Sequence, residues 1–600
     1  MLVPRALLAP LFALVVFAQQ PRTVTTLKST SAKAPSAKPA ARSTEESAAR
    51  TLLNSMTLQD RIAQLIIGVT DGDVYSTDSE DYKKYRHWVK DLHIGGFIVN
   101  NVVEFGSARN ANPYAMAVFL NQMQKMSRLP LLIGSDFERA ASMRVTGGTQ
   151  FPHSMAFGAT GDVSASKYEG LITAREARAL GVHWVFAPVA DVNNNPKNPV
   201  INIRAYGEDP DLVSAHVTAF IDGAHMDPAA RVLVTAKHFP GHGDTDIDSH
   251  IGLPRLAISR NRMDAMELKP FRAAIAQGVD AIMTAHMAVP ELDDSGVPAT
   301  VSPKVLTDLL RNELQFKNLI VTDAMNMQGL TEMFNPGEAS VRSLLAGADV
   351  LLMPPDPDAS IRAVMTAVQK GRIPKQRINE SALRVLMAKA SLGLNRKRLV
   401  DLDNIADTLA SPEAAIRSQQ IADHAVTLLR NDGGILPLSP AGQPCLVLIN
   451  SLRISQQGQR LVREFRRKAS QGQVFTVDTN MPFNALEATI QGRTCSAIVA
   501  ASFAAITANT VDMNRFLTKL TEGPVPVVIA TFNDPYMGAN FPKAAAYLTP
   551  FSSAPSAEIA AAKALFGEIE ISGHTPVTIP QVAPLGAGIV VAPRAQLAGR

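Results

Sequence analysis

Between Ser47 and Leu394 the chain repeats one pattern, a short and almost wholly apolar run followed by a longer amphipathic stretch. The runs read QLIIG, GGFIVN, LPLLIGSD, HWVFAPVAD, RVLVTAKH, VDAIMTAH, NLIVTDA and ADVLLMPP. Helical patterns such as ASKYEGLITAREARAL and SPKVLTDLLRNEL separate most of them. A run that is apolar at successive positions is a strand buried on both faces, which requires a parallel sheet covered by helices. Eight such strands over roughly 350 residues point to an α/β fold, a (β/α)8 TIM-type barrel that is allowed irregularity at its first strands. An open doubly wound sheet is the alternative.

The barrel reading carries its own test, because chemistry in such folds collects where the strands end. Asp136 follows the third run, Asp191 the fourth, Lys237 and His238 the fifth, His286 the sixth, Asp323 the seventh and Asp356 the eighth. A single Asp after a strand is more often a helix N-cap than a catalyst. Six strands that end in ionisable groups are harder to read as caps alone.

A second unit follows. AVTLLRNDGGILPL leads into PCLVLIN, SAIVAAS, VPVVIATFN and AAYLTPFSS, with helix-like VDMNRFLTKLTEG and SAEIAAAKALFG between them, which predicts a smaller α/β sandwich. Its first strand lacks a following GxGxxG, and it holds no cluster of His, Asp or Glu. The start, MLVPRALLAPLFALVVFAQQ, has a basic first segment, a short apolar run and small residues at Val16 and Ala18, which is the pattern of a signal peptide. The expected organisation is a signal peptide at 1–18, a flexible linker at 19–46, a catalytic barrel at 47–394, a connector at 395–424 and a C-terminal α/β domain at 425–600. The expected chain is exported, periplasmic or extracellular, without stable membrane insertion, and a monomer is expected.

The net charge of +4 is spread without a long Lys/Arg block, so nothing favours nucleic acid as a partner. Cys445 and Cys495 are too few for a disulfide framework or zinc ribbon. As a pair in an exported chain or as two buried thiols they fit equally well.

The densest chemistry lies in AKHFPGHGDTDIDSH, Ala236 to His250. As a calcium loop beginning at Asp244 it fails, because Ser249 stands where glycine is needed and Arg255 where glutamate is needed. As a zinc site, His238 and His242 have helical spacing, but Pro240, Gly241 and Gly243 forbid a regular helix. As an acid/base device it fits: Asp248 and His250 are two apart, so in an extended loop the carboxylate can hold the imidazole N–H and favour its protonated form. Gly241 and Gly243 would let such a loop move over substrate. The plain alternative is a turn cap, Asp248, beside a surface histidine.

KHFPGHGDTDIDSH resembles the signature of the glycoside hydrolase family 3 β-N-acetylglucosaminidases, the NagZ-type group, in which Lys-His-Phe-Pro-Gly-His-Gly precedes Asp-Ser-His. FAPVADV, NPVINIRAYGEDP, VTDAMNMQGL, MTLQDRIAQLI and NDGGILPL are similar to further segments of that family, so the resemblance spans nearly all of the expected mature chain. It implies a retaining exo-β-N-acetylglucosaminidase without metal or cofactor. Asp323 would be the nucleophile and His250, assisted by Asp248, the acid/base. Asp136, Arg204, Lys237 and His238 would bind sugar hydroxyls at the non-reducing end. SDFERAASMRV departs from the family's Asp-x-Glu-Gly-Gly by placing Arg139 and Ala140 where the glycines stand, and Arg144 there has either a sugar-facing or a structural role. The substrates implied are peptidoglycan fragments or chito-oligosaccharides. The alternatives are a β-glucosidase-like or phosphorolytic relative and a non-catalytic wall-binding protein.

Overall fold

The computed structural model describes residues 39–104 and 107–594. The expected signal peptide and most of the expected linker lie outside the described residues. The last residues of that linker instead belong to a helix, Pro39–Ser55, which runs on through 47. Its alanines are strong helix formers and Glu46 pairs with Arg50 one turn on at 2.7 Å, so Ser- and Thr-rich composition alone underrates this segment.

All eight apolar runs are strands of one parallel sheet: β1 (Ile66–Thr70), β2 (Gly96–Val99), β3 (Leu132–Ser135), β4 (Trp184–Val185), β5 (Leu233–Phe239), β6 (Ala281–Thr284), β7 (Leu319–Val321) and β8 (Leu351–Leu352). Hydrogen bonding runs β8-β1-β2-β3-β4-β5-β6-β7, and a parallel bridge from Val321 to Val350 draws β7 to β8 and closes the ring. The chain is therefore a (β/α)8 barrel. Between the strands run α1 (Glu80–Lys90), α2 (Pro113–Met126), α3 (Val163–Ala179), α4 (Pro210–Ala224), α5 (Lys269–Gln277), a widely wound helix α6 (Lys304–Glu313), α7 (Pro336–Ala346) and, after β8, α8 (Pro357–Gln369). Phe97, Ile133, Trp184, Val234, Ile282 and Ile320 are fully or almost fully buried, as strands covered on both faces require.

The second sheet has the order β9-β14-β13-β12-β10-β11, from β9 (Thr427–Asn431), β10 (Cys445–Asn450), β11 (Gln473–Asp478), β12 (Ile498–Ser502), β13 (Val527–Thr531) and β14 (Ala546–Thr549). Only β9 is antiparallel to its neighbour. The apolar runs do not pick out β11, because an edge strand buries mainly its end, here Val477 and Asp478. Cys445 and Cys495 form a disulfide, which ties the start of β10 to the turn before β12. Helix Pro412–Ala425, in the expected connector, touches both parts: Ser418 donates to the Gln150 carbonyl at 2.7 Å and Gln419 to that of Ser556 at 3.0 Å.

Candidate active site

The strand ends converge on one charged network. Lys237, at the end of β5 and 2% exposed, places Nζ 2.8 Å from Asp136 Oδ1 and 2.7 Å from Glu138 Oε1, both just past β3. Arg204 grips Glu138 as a fork, Nε to Oε2 at 3.0 Å and Nη2 to Oε1 at 2.7 Å, and Arg144 Nη2 reaches Asp136 Oδ2 at 3.2 Å. Forked guanidinium–carboxylate contact fixes both groups in one plane, so the network is rigid as well as neutralised. Burial pushes the carboxyls of Asp136 and Glu138 up, but the facing cations outweigh it and hold both below the usual carboxylate range, Glu138 well below. Arg144 is partnered on both sides, since its Nη1 also donates to Asn101 Oδ1 at 2.8 Å.

Asp191, fully buried after β4, organises the next layer. It accepts from His238 Nδ1 and from His242 N, each at 2.7 Å, and from His238 N at 3.2 Å. That fixes the ring of His238 with Nε2 facing Arg204 Nη2 at 3.4 Å. Glu138 and Asp191 are the two residues of this network that the expected substrate-binding set omits. The signals for both were present, in the Asp-x-Glu of SDFE and the strand-end Asp of FAPVAD, but each acts through a partner 66 or 47 residues away.

Asp323, two residues past β7, is half-buried and accepts from Ala324 N at 2.7 Å. Burial raises its pKa; the imidazoles of His238 and His286 and the Ala324 N–H lower it more, so the group is held as a carboxylate near neutral pH. His286, at the end of β6, is fully buried and uses both nitrogens locally, Nδ1 to Thr300 Oγ1 at 2.8 Å and Nε2 to the Ala324 carbonyl at 3.0 Å. It supports the Asp323 turn. Asp356 is the helix cap that a lone strand-end Asp more often is: its Oδ1 accepts from Ala359 N at 2.9 Å at the start of α8.

The loop after β5 has a pinned base and an open tip. Asn198 Nδ2 donates to the carbonyls of His242 and Gly243 at 2.8 and 3.0 Å, and His242 Nε2 lies 3.0 Å from Ser249 Oγ, whose residue is 3% exposed. Gly243 is there for close approach: a Cβ on it would stand 1.7 Å from the Val192 carbonyl oxygen. Gly241 is needed for close approach as well, since a Cβ on it would stand 2.8 Å from the Glu267 side chain. Beyond that base, Asp248 Oδ1 accepts from His250 N at 2.8 Å and from His250 Nδ1 at 2.7 Å. Nε2 has no partner among the described residues, and the side chain is 58% exposed. Burial raises the pKa of Asp248, and the two His250 hydrogen bonds with its ring charge bring it below the usual value. Asp244, in the spacer, pairs with Arg262 at 3.1 Å.

A parallel barrel whose strand ends carry an ionised carboxylate and a network of paired charged groups, and whose β5 loop carries an imidazole–carboxylate pair, has the equipment of a glycosidase. The model of the glycosyl hydrolase family 3 N-terminal domain matches residues 57–388. The chain is 30% identical over 404 residues, 66% of its length and 68% of the relative's, to a β-N-acetylglucosaminidase/β-glucosidase of Cellulomonas fimi. It is 36% identical over 389 residues, 58% of its length and 61% of the relative's, to β-hexosaminidase A of Pseudoalteromonas piscicida. Among solved structures it is similar to a glycoside hydrolase family 3 β-N-acetylglucosaminidase of Paenibacillus sp. str. FPU-7, with TM-score 0.79, 31% identity, and coverage of 88% of this chain and 100% of that one. The chain belongs to glycoside hydrolase family 3 and is a glycosidase.

Proposed function

We propose that this enzyme is a retaining exo-β-N-acetylglucosaminidase that removes non-reducing-end N-acetylglucosamine from peptidoglycan fragments or chito-oligosaccharides. The observation that carries the reading is that the chain holds both Asp323, kept ionised past β7, and an Asp248–His250 dyad whose Nε2 has no partner among the described residues. Asp136, Lys237, Arg204 and His238 hold the sugar hydroxyls, with Glu138 and Asp191 fixing their positions and Arg144 holding Asp136. The Asp323 carboxylate attacks the anomeric carbon while His250 Nε2–H protonates the departing glycosidic oxygen, giving a glycosyl ester and free aglycon. His250 then takes a proton from water as that water attacks the anomeric carbon, which frees the sugar and restores Asp323. The names of the Paenibacillus and Pseudoalteromonas relatives support the 2-acetamido sugar.

Export rests on the N-terminal pattern, and no helix among the described residues is long and apolar enough to cross a membrane. The test is product analysis by mass spectrometry with N-acetylglucosaminyl-N-acetylmuramic acid, chitobiose and an aryl β-glucoside, each with and without phosphate. Release of free N-acetylglucosamine independent of phosphate, abolished by Asp323→Ala in a folded protein, is expected. Faster release of glucose, a sugar phosphate product, or full activity of the variant would overturn the reading.

A further inference from the structure

The segment between Asn193 and Glu208 is a loop with a closed neck. Asn193 N donates to the Gly207 carbonyl at 2.9 Å, bringing together the two ends of a stretch that carries Arg204 and Asn198. Arg204 holds Glu138, and Asn198 holds the base of the His250 loop. The loop is thus shared between the sugar-binding network and the loop that bears the acid/base pair.

The second domain grips both sides of this neck. Tyr536, nine-tenths buried in the turn after β13, accepts a hydrogen bond at its hydroxyl from Asn193 Nδ2 at 2.8 Å. On the other side Glu208 N donates to the Pro576 carbonyl at 3.0 Å, and the Glu208 carboxylate accepts from Thr578 N at 2.7 Å and Thr578 Oγ1 at 2.5 Å. The approach is close enough that a Cβ on Gly207 would lie 2.6 Å from the Pro576 oxygen. Asp534 braces the turn that carries Tyr536, its Oδ1 accepting from Tyr536 N at 3.0 Å. Asn202 has φ 40°, a left-handed conformation that a residue with a Cβ adopts at a cost and keeps only where its surroundings over-determine it. Its Oδ1 is buried without a partner among the described residues.

We infer that the second domain sets the position of the sugar-binding Arg204 through this clasp, with Tyr536 as its positioning residue. Tyr536 does not touch the reacting atoms. It fixes the neck opposite the Glu208 contacts, and the closed neck holds the guanidinium fork in register with Glu138 and Lys237. Sub-ångström placement of such groups governs rate, so loosening the clasp lowers catalytic efficiency without removing any group that contacts substrate.

The inference rests on the proposed binding role of Arg204, and the test separates the two. Steady-state kinetics on an aryl β-N-acetylglucosaminide are measured for wild type, Tyr536→Phe, Arg204→Lys and the double variant, with thermal unfolding of each. If the wild type does not turn this substrate over, the proposed specificity fails, and the same cycle is run on the aryl glycoside it does cleave. Tyr536→Phe leaves Asn193 unpaired in a buried neck and is expected to lower kcat/KM by roughly 5- to 30-fold, mainly through KM. In the Arg204→Lys background, where the fork is gone, the same change is expected to cost less than about 2-fold. Equal losses with and without the Arg204 fork, or a fall in melting temperature with kcat/KM unchanged, would overturn the inference.

Discussion

Replacing His250 by alanine should separate substrates by how badly their leaving group needs a proton. General-acid assistance is worth about 10²–10⁴ in rate, or about 3–5 kcal/mol of transition-state free energy. The structure places His250 in the lower part of that range. Its side chain is 58% exposed and its one ionic partner, Asp248 at 2.7 Å, is itself 27% exposed, so the field on the ring is screened by water. For a substrate with an alcohol leaving group, such as a disaccharide, kcat/KM should fall about 10²- to 10³-fold. For a dinitrophenyl glycoside, which departs as a stable anion, kcat/KM should fall no more than about 3-fold. The comparison is made on kcat/KM because that constant reports the first irreversible step. kcat on the activated substrate becomes limited by hydrolysis of the glycosyl ester, and added azide, which attacks without base assistance, should raise it. Asp248→Asn keeps an acceptor for the ring and loses only a screened charge worth about 1 kcal/mol or less, so about a 5-fold loss is expected. Equal losses by His250→Ala across leaving groups, with no azide effect, would refute the acid/base role and leave a structural histidine.

Lys237→Met removes the cation shared by Asp136 and Glu138, which keep Arg144 and Arg204, so the cost should fall near the low end of a broken buried pair. Urea denaturation should show a loss of about 3 kcal/mol, and a loss below about 1 kcal/mol would contradict the network's rigidity. At the opposite end of the barrel strands, Asp349 is fully buried. Burial raises its pKa, but Arg311, Arg384 and Arg377 bring it from 3.8 down to about 2. A depressed carboxylate contributes stability above its unfolded pKa and loses it as the pH falls through its folded pKa. The stability gap between wild type and Asp349→Asn should therefore shrink by about 2–3 kcal/mol between about pH 5 and about pH 2. A gap independent of pH would show that Asp349 titrates as it does in the unfolded chain.

The barrel was legible in the sequence because parallel strands covered on both faces are apolar at every position, and no other common element of that length is. Strand-end polarity also points to Asp136, Lys237, His238 and Asp323 as candidates. It located Asp356 equally well, and only hydrogen-bond geometry separates that cap from the others. What stayed hidden is set by contacts distant in sequence. Glu138 and Asp191 gain their roles from Arg204 and His238, and Asn193 meets Tyr536 across 343 residues. The glycines of GHG show the same limit, since freedom to move and need for close approach leave the same letter in the chain. The Val192 carbonyl beside Gly243 shows the need for close approach there.

The retaining mechanism requires a covalent bond between Asp323 and the sugar. A ring-fluorinated N-acetylglucosaminyl fluoride loses fluoride readily while the second fluorine slows hydrolysis of the ester, so incubation followed by proteolysis and peptide mass spectrometry reads the labelled residue directly. One fluorosugar per chain is expected, attached to Asp323 and lost on dilution into fresh buffer as activity returns. An unlabelled enzyme that still turns the compound over, or a label on any other side chain, would rule Asp323 out as the nucleophile.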